Sequence, residues 1–330
     1  MLTLLPWHQS LWSNIVRARR AGRLAHGLLL KEPAGAGAYE FAQFLGSSLL
    51  CPSPLDDYAP CGTCKSCALY EAGNHTDCQL VQPEEQGGQI KVEQIRALID
   101  FFTLKSQFEG YKVAIINPAD AMNRSAANTL LKTLEEPPAL SVLILVTQRP
   151  ERLPVTLRSR CQQITFQPEF TERAHAWLAA KINNKKLAAE LLAIAKGAPL
   201  AALNMYENST LDKLDTVLDD MARLSKLRED PLKTAKHWDG LGAEQVMLWI
   251  LQTMTDMIRL KSGYLAGNLN PSEARNRLQI LTNGLDLYKL ITSYDLLMRN
   301  YRLCTGQVSY DSQGLLEEFI IHWQQTASTV

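Results

Sequence analysis

Cys61, Cys64 and Cys67 are spaced C-x-x-C-x-x-C, and a fourth cysteine, Cys51, precedes them. Turns of this spacing can point successive thiolates at one tetrahedral ion, which makes Cys51, Cys61, Cys64 and Cys67 a candidate zinc site. Four thiolates leave no open position, so such a site is structural and staples a loop too short to have its own core. His75 and Cys78 are alternative fourth ligands, and His75 also reads as an ordinary surface histidine. An iron–sulfur cluster is the rival chemistry, although the downstream Cys-Pro used by those clusters is missing. A nucleic-acid-binding zinc ribbon is a weaker fit, because Lys65 is the only basic residue between the outer cysteines. The chain has seven cysteines in all, and in a reducing compartment the clustering of four reads as metal before disulfide. Cys161 and Cys304 read as core thiols.

A second set of residues has the place of a phosphate-binding loop without its working groups. An apolar strand at Leu28 to Leu30 runs into Glu32-Pro-Ala-Gly-Ala-Gly-Ala-Tyr39 and then a helix. Against the pattern G-x-x-x-x-G-K-[ST], the first glycine is Glu32 and Gly37 survives, with Gly35 at an unspecified position between them. The lysine that would reach the phosphates is Ala38, and the hydroxyl that would ligate magnesium is Tyr39. An acid at the start of the loop also repels a triphosphate. The plainer reading is a glycine turn joining strand to helix. The acidic pair of such an ATPase is lost as well: Val113 to Ile116 is followed by Asn117-Pro118-Ala119-Asp120. Asparagine is a weaker, neutral metal ligand, and proline cannot act as a base. Weak nucleotide binding stays open, but hydrolysis by this chain is not expected.

The elements that must position these residues are legible as alternating patterns. Gly27–Lys31, Gln79–Val81, Lys112–Ile116, Ser141–Thr147 and Gln163–Phe166 read as strands, the third and fourth as central parallel ones. Between them, Phe41, Phe44, Leu45 and Leu49 lie on one helical face, and Val92, Ile95, Ile99 and Phe102 on another. Ala127, Leu130, Leu131 and Leu134 trace a third helix, stopped by Pro137-Pro138. Interleaved strands and helices imply a doubly wound α/β domain over 1–166, with the cysteine module inserted at about 51–67. The pattern changes at Pro168. A small helical module over 167–207 breaks at Gly197-Ala-Pro199, and 208–330 reads as all helix. The Met and aromatic stripes there (Met221, Met254, Met257, Trp323) read as packing and not as a cofactor box.

Bulk composition narrows the function. At 330 residues, 46% apolar and 21% charged, the chain is an ordinary globular protein of two or three domains. A formal net charge of zero argues against a protein whose main business is gripping a long stretch of nucleic acid. The start of the sequence has no basic leader or long apolar run, and no stretch approaches the roughly 20 apolar residues of a membrane span. A cytoplasmic location is expected.

Three stretches resemble one family, the AAA+ subunits of bacterial sliding-clamp loaders of DNA polymerase III. Residues 123–138 (Asn-Arg-Ser-Ala-Ala-Asn-Thr-Leu-Leu-Lys-Thr-Leu-Glu-Glu-Pro-Pro) are similar to the helix after the acidic motif. Residues 147–161, ending Ser-Arg-Cys161, are similar to the family's sensor and Ser-Arg-Cys segment, and the cysteine cluster resembles its zinc module. The resemblance implies an AAA+ RecA-like parallel sheet with an inserted zinc module, a helical lid, and an all-α collar domain for oligomerisation. The family's motor subunits keep the phosphate loop and acidic pair, and its delta member lacks the zinc module and Ser-Arg-Cys. This chain departs from the motors in the manner of the other, non-hydrolysing member.

The resemblance further implies that Arg160 projects in trans into a neighbouring motor's ATP site and stabilises charge on the γ-phosphate. Such an arginine is worth on the order of 10³ to 10⁵ in rate in other phosphoryl-transfer systems. A structural ion pair is the alternative role for Arg160. Arg149, Arg152 and Arg158 lie nearby, with solvated or interface roles, and Leu200 stands about where motor subunits carry a nucleotide-sensing arginine. Implied partners are the motor subunits (tau/gamma), delta, and through the assembly the sliding clamp and primed DNA. Structural zinc is the one implied cofactor. A divergent ATPase that still turns over ATP and a nucleic-acid-binding zinc protein are the competing readings.

Overall fold

Five short strands, all parallel, form one sheet in the computed structural model, which describes residues 2–85, 87–167, 170–263, 282, 285–305 and 310–327. They are β1 (Gly27–Lys31), β2 (Cys78–Val81), β3 (Lys112–Ile116), β4 (Ser141–Thr147) and β5 (Gln162–Thr165). Their order across the sheet is β2-β3-β4-β1-β5. Every residue of β3 and β4 is buried, as expected for central strands covered on both faces. The edge strands β2 and β5 begin one residue earlier than their patterns suggest, within the usual latitude of element ends.

Helices cover both faces. Leu28 and Leu30 of β1 pack with Trp12 of α1 (Gln9–Arg20) and with Phe41 and Leu45 of α2 (Ala38–Leu50). The short α3 (Lys65–Glu71) belongs to the cysteine module. Leu29, pointing the opposite way, packs with Ile95 and Leu98 of α4 (Val92–Thr103) and Leu130 of α5 (Arg124–Glu135). Each such leucine stabilises by roughly 1.5–3 kcal/mol relative to exposure. The helix α1 was not among the elements read from the sequence. Its buried residues Trp12, Ile15 and Val16 follow the i, i+3, i+4 spacing of a core-facing stripe.

The strand order fixes where chemistry can gather. Because β1 sits between β4 and β5 while β2 lies at the far edge, the chain reverses its direction of progress beside β1. Register pairs Lys31 with Thr147 and Ile116 with Leu145, so the carboxyl ends of β1, β3 and β4 meet at one rim. In open α/β sheets that rim is where ligands bind. The residues leaving it here are Glu32, Asn117 and Gln148.

After β4 come α6 (Val155–Arg158), α7 (Glu172–Ile182), α8 (Lys185–Ile194) and α9 (Pro199–Glu207). Thr171 caps α7 by accepting from the Ala174 N–H, and Asn184 caps α8 by accepting from the Leu187 N–H. The pattern change expected at Pro168 lies outside the described residues. The chain forms two compact units, Met1–Leu203 and Asn204–Val330, so α7, α8 and the first residues of α9 belong to the same unit as the sheet. Within that first unit, Trp177 of α7 meets Trp7 edge-on at 5.0 Å.

The second unit is helical: α10 (Thr210–Leu224), α11 (Pro231–Gly240), α12 (Ala243–Lys261), α13 (Leu287–Cys304) and α14 (Ser312–Ala327). Its core holds Met221, Met254, Met257 and Trp323, the stripe read from the sequence as packing. Some buried polar groups there have partners, whereas the ring N–H of Trp249 and Nε2 of His322 have none. The Trp238 ring N–H donates to Asp220 at 3.0 Å, and Asn300 donates to the Leu315 carbonyl at 2.9 Å. Cys161 is buried in the sheet's core, whereas Cys304 only partly so, at the margin of the helical one. Together these parts make a doubly wound parallel α/β domain with an inserted cysteine module and further helices, and a helical C-terminal unit.

Candidate functional site

At the rim of the sheet, the loop from Glu32 to Tyr39 turns from β1 into α2. Gly35 and Gly37 are both left-handed, at φ 82° and 96°. Space also requires them to be glycine: a Cβ on Gly35 would lie 2.5 Å from the Ala201 nitrogen, and one on Gly37 2.9 Å from Cε1 of His8. The chain's own lid and N-terminal segment therefore press on this loop. The Leu200 N–H donates to the Gly35 carbonyl at 3.1 Å. The Trp7 ring N–H and Nε2 of His8 both donate to the Ala36 carbonyl, each at 2.9 Å. Since that carbonyl can only accept, His8 carries its proton on Nε2, and its buried Nδ1 has no hydrogen-bond partner. Burial lowers the His8 pKa to about 4 and keeps the ring neutral.

Glu32 completes the closure. Its side chain is buried, and its carboxylate accepts from the Ala38 N–H at 2.7 Å, at the first residue of α2. Burial raises its pKa, opposed by the backbone N–H groups of Ala38 and Gly37. Free N–H groups and the helix dipole make this the natural seat of an anion. The chain seats its own carboxylate there. The sequence shows the acid at the loop's start, but its fold-back onto Ala38 is a tertiary fact. Ala38 is itself fully buried and Tyr39 half-buried, and neither is the lysine or small hydroxyl that a phosphate loop uses.

The strand ends opposite are equally committed. The Asn117 N–H donates to the Val81 carbonyl at 3.0 Å. The Thr147 hydroxyl donates to Asp120 at 2.6 Å and accepts from the Arg149 N–H at 3.1 Å. The acid nearest the lost acidic pair is thus tied to its neighbouring strand.

The cysteine module brings its four sulfurs together. The Sγ atoms of Cys51, Cys61, Cys64 and Cys67 all lie within 4.8 Å of one another. Cys51 is 3.5 Å from Cys61 and 3.9 Å from Cys64, and Cys61 is 3.9 Å from Cys67. Tetrahedral zinc with sulfur at about 2.3 Å requires sulfurs about 3.8 Å apart, so the donor set fits that ion. Cys64 caps α3, its sulfur accepting from the Cys67 N–H at 3.4 Å, and Cys51 accepts from the Cys61 N–H at 3.4 Å. The backbone N–H groups of Thr63 and Cys64 hold Cys61 down at about 6, while burial pushes Cys67 up to about 12.

The two alternative ligands are engaged elsewhere. The Ser66 hydroxyl donates to the Leu50 carbonyl at 2.7 Å, so it must accept from Nε2 of His75, 2.8 Å away. The other His75 nitrogen accepts from the Asp77 N–H at 3.1 Å. Both ring nitrogens are spent, and the buried ring anchors α3 to β2. Cys78 stands on β2 outside the cluster, its thiol pushed up to about 12 by burial.

Arg160 follows α6. Its guanidinium is ion-paired with Glu135, and Nη1 donates to the Thr156 carbonyl at 2.8 Å. Arg149 and Arg152 are exposed, and Val155 of α6 is 69% exposed. Arg158 is half-buried, with its Nε hydrogen unmatched. Leu200 carries no charge to the loop, which it meets only through its backbone.

This arrangement can hold a structural metal and present arginines outward, while its phosphate loop is filled from within. Comparison with known proteins shows the family. The family model described as "DNA polymerase III, delta subunit" matches residues 7–170, and "DNA polymerase III, delta subunit, C terminal" matches 208–325. The chain is 31% identical over 327 residues to DNA polymerase III subunit delta' of Pseudomonas aeruginosa, covering 98% of both chains. It is also 31% identical to the subunit delta' of Escherichia coli, covering 89% of this chain and 94% of that one. DNA polymerase III subunit tau of Salmonella typhimurium is 32% identical over 287 residues, covering 78% of this chain and 44% of tau.

Proposed function

The chain belongs to the DNA polymerase III delta-prime subunit family, and from that premise we propose that it is the non-hydrolysing stator of a clamp loader. In this reading it sits in a cytoplasmic assembly with the tau/gamma motor subunits and delta, which places the ring-shaped sliding clamp on primed DNA. Its own site turns over no ATP. Its contribution to hydrolysis is Arg160, offered in trans to a neighbouring motor, where a guanidinium can contact the γ-phosphate and stabilise developing charge.

The observation that carries this reading is the closed loop. The N–H groups that would cradle a phosphate hold Glu32, and the loop carbonyls are taken by Trp7, His8 and Leu200. A divergent motor would need these contacts to break and would still lack the lysine, the hydroxyl and the acidic pair. Cys51, Cys61, Cys64 and Cys67 are read as the ligands of one zinc ion, which cross-links a segment that has no core of its own. Among the described residues no single helix is long and apolar enough to cross a membrane.

The test compares ATP hydrolysis by the purified chain with hydrolysis by the assembly of motors, delta, clamp and primed DNA, using wild type and Arg160→Ala. No turnover by the isolated chain is expected, and the variant assembly should lose most of its DNA-stimulated turnover. Turnover by the chain alone, with an assembly indifferent to the substitution, would establish the divergent motor instead.

A further inference from the structure

Arg160 is not free to reach outward as it stands. Its backbone is held: its N–H donates to the Leu157 carbonyl at 3.2 Å, and the next residue, Cys161, is buried. Gly27 permits the close approach behind this, since a Cβ there would lie 2.8 Å from Leu134 and 3.5 Å from the Cys161 sulfur. The last turn of α5 is thereby brought against the Ser-Arg-Cys segment, with His26 adding a 2.9 Å hydrogen bond to the Leu134 carbonyl. Glu135 ends α5 and Glu136 follows it, two acids at the end of a helix where the dipole already concentrates negative charge. A cation is wanted there. Arg160 supplies it, one terminal nitrogen on Glu135 and the other on the Thr156 carbonyl.

Taking as its premise the reading of Arg160 as a finger in trans, we infer that Glu135 is a positioning residue that holds the arginine retracted. The guanidinium goes to a neighbour's phosphate only by leaving Glu135. The backbone stays fixed and the side chain alone moves. The pair suits such a latch. Its side chains are 34% and 50% exposed, so water rehydrates Glu135 on release, and a phosphate of higher charge outcompetes a single carboxylate. A buried pair would be too costly to break and would lock the arginine away.

Glu135→Gln, Glu135→Asp, Arg160→Ala and the double variant Glu135→Gln with Arg160→Ala would be placed in the full assembly. ATP turnover would be measured at subsaturating ATP across a salt series. Glu135→Gln should raise turnover by about two- to fivefold at low salt, the range open to an exposed ion pair, and the gain should shrink as salt screens the pair. Glu135→Asp should stay near wild type, and the double variant should match Arg160→Ala. If Arg160→Ala lowers turnover but Glu135→Gln leaves it unchanged or lowers it, the latch is wrong while the finger stands. A Glu135→Gln gain that persists without Arg160 also overturns the latch. Indifference to Arg160→Ala removes the finger reading and the latch with it.

Discussion

A buried carboxylate on the first N–H groups of α2 is a less stable arrangement than a neutral acceptor in the same place. Burial raises the Glu32 pKa in the folded chain, so the folded state binds that proton more tightly than the unfolded one. The stability of the wild type therefore falls as pH rises from the ordinary carboxylate value through the folded one, and stays reduced above it. Glu32→Gln keeps an acceptor for the Ala38 N–H without the charge, so at pH 7 its melting temperature should equal or exceed that of the wild type. Glu32→Ala leaves a buried N–H unmatched and should cost about 1–3 kcal/mol. Lowering the pH through the carboxylate range should close the gap between wild type and Glu32→Gln. Thermal melts of the three proteins at several pH values check this, and a glutamine variant as unstable as the alanine one would refute it. The absence of the lysine and the hydroxyl from this loop was legible in the sequence because a motif position either holds them or does not. What fills the space was not legible. The contacts of His8 with Ala36 and Arg160 with Glu135 span 28 and 25 positions, and only the sheet brings them together.

Elements differ in how far their own residues specify them. The central strands were readable because burial on both faces demands an unbroken apolar run, and α2, α4 and α5 because their apolar residues repeat at helical spacing. Helices α3 and α6, of 7 and 4 residues, are too short to show a period. The cysteine module depends on more than periodicity. It has a cap at Cys64 and an anchor at the Ser66–His75 bond, and on the proposed reading a shared ion supplies the rest of its order. Metal analysis should find one zinc per chain. Chelation, or Cys51→Ser, should strip hydrogen-exchange protection from residues 51–71 while α10 to α14, which have their own core, keep theirs. Protection in the module that survives a metal-free preparation would show that the cysteines only pack.

At the scale of the whole molecule, charge decides what the chain can do alone. It has 34 basic and 34 acidic residues, and a protein that holds DNA by itself releases counterions in proportion to the phosphates it neutralises. A grip on 6–10 phosphates makes the affinity fall by about 10³ to 10⁵ between 50 and 200 mM salt. A neutral surface cannot sustain that many contacts unless its cations are gathered on one face. The arginines of α1 do cluster, but Arg19 is engaged with Ser48 and stacked on Tyr58, and Arg20 donates to the Asp56 carbonyl. The isolated chain should therefore bind primed duplex weakly, with a slope of log affinity against log salt no steeper than about −2, corresponding to about two phosphates. Fluorescence anisotropy on labelled primed DNA across a salt series measures this slope directly. A steep slope for the chain alone would favour the competing nucleic-acid-binding reading. A shallow one, steepening only when the other subunits are added, would place DNA recognition in the assembly.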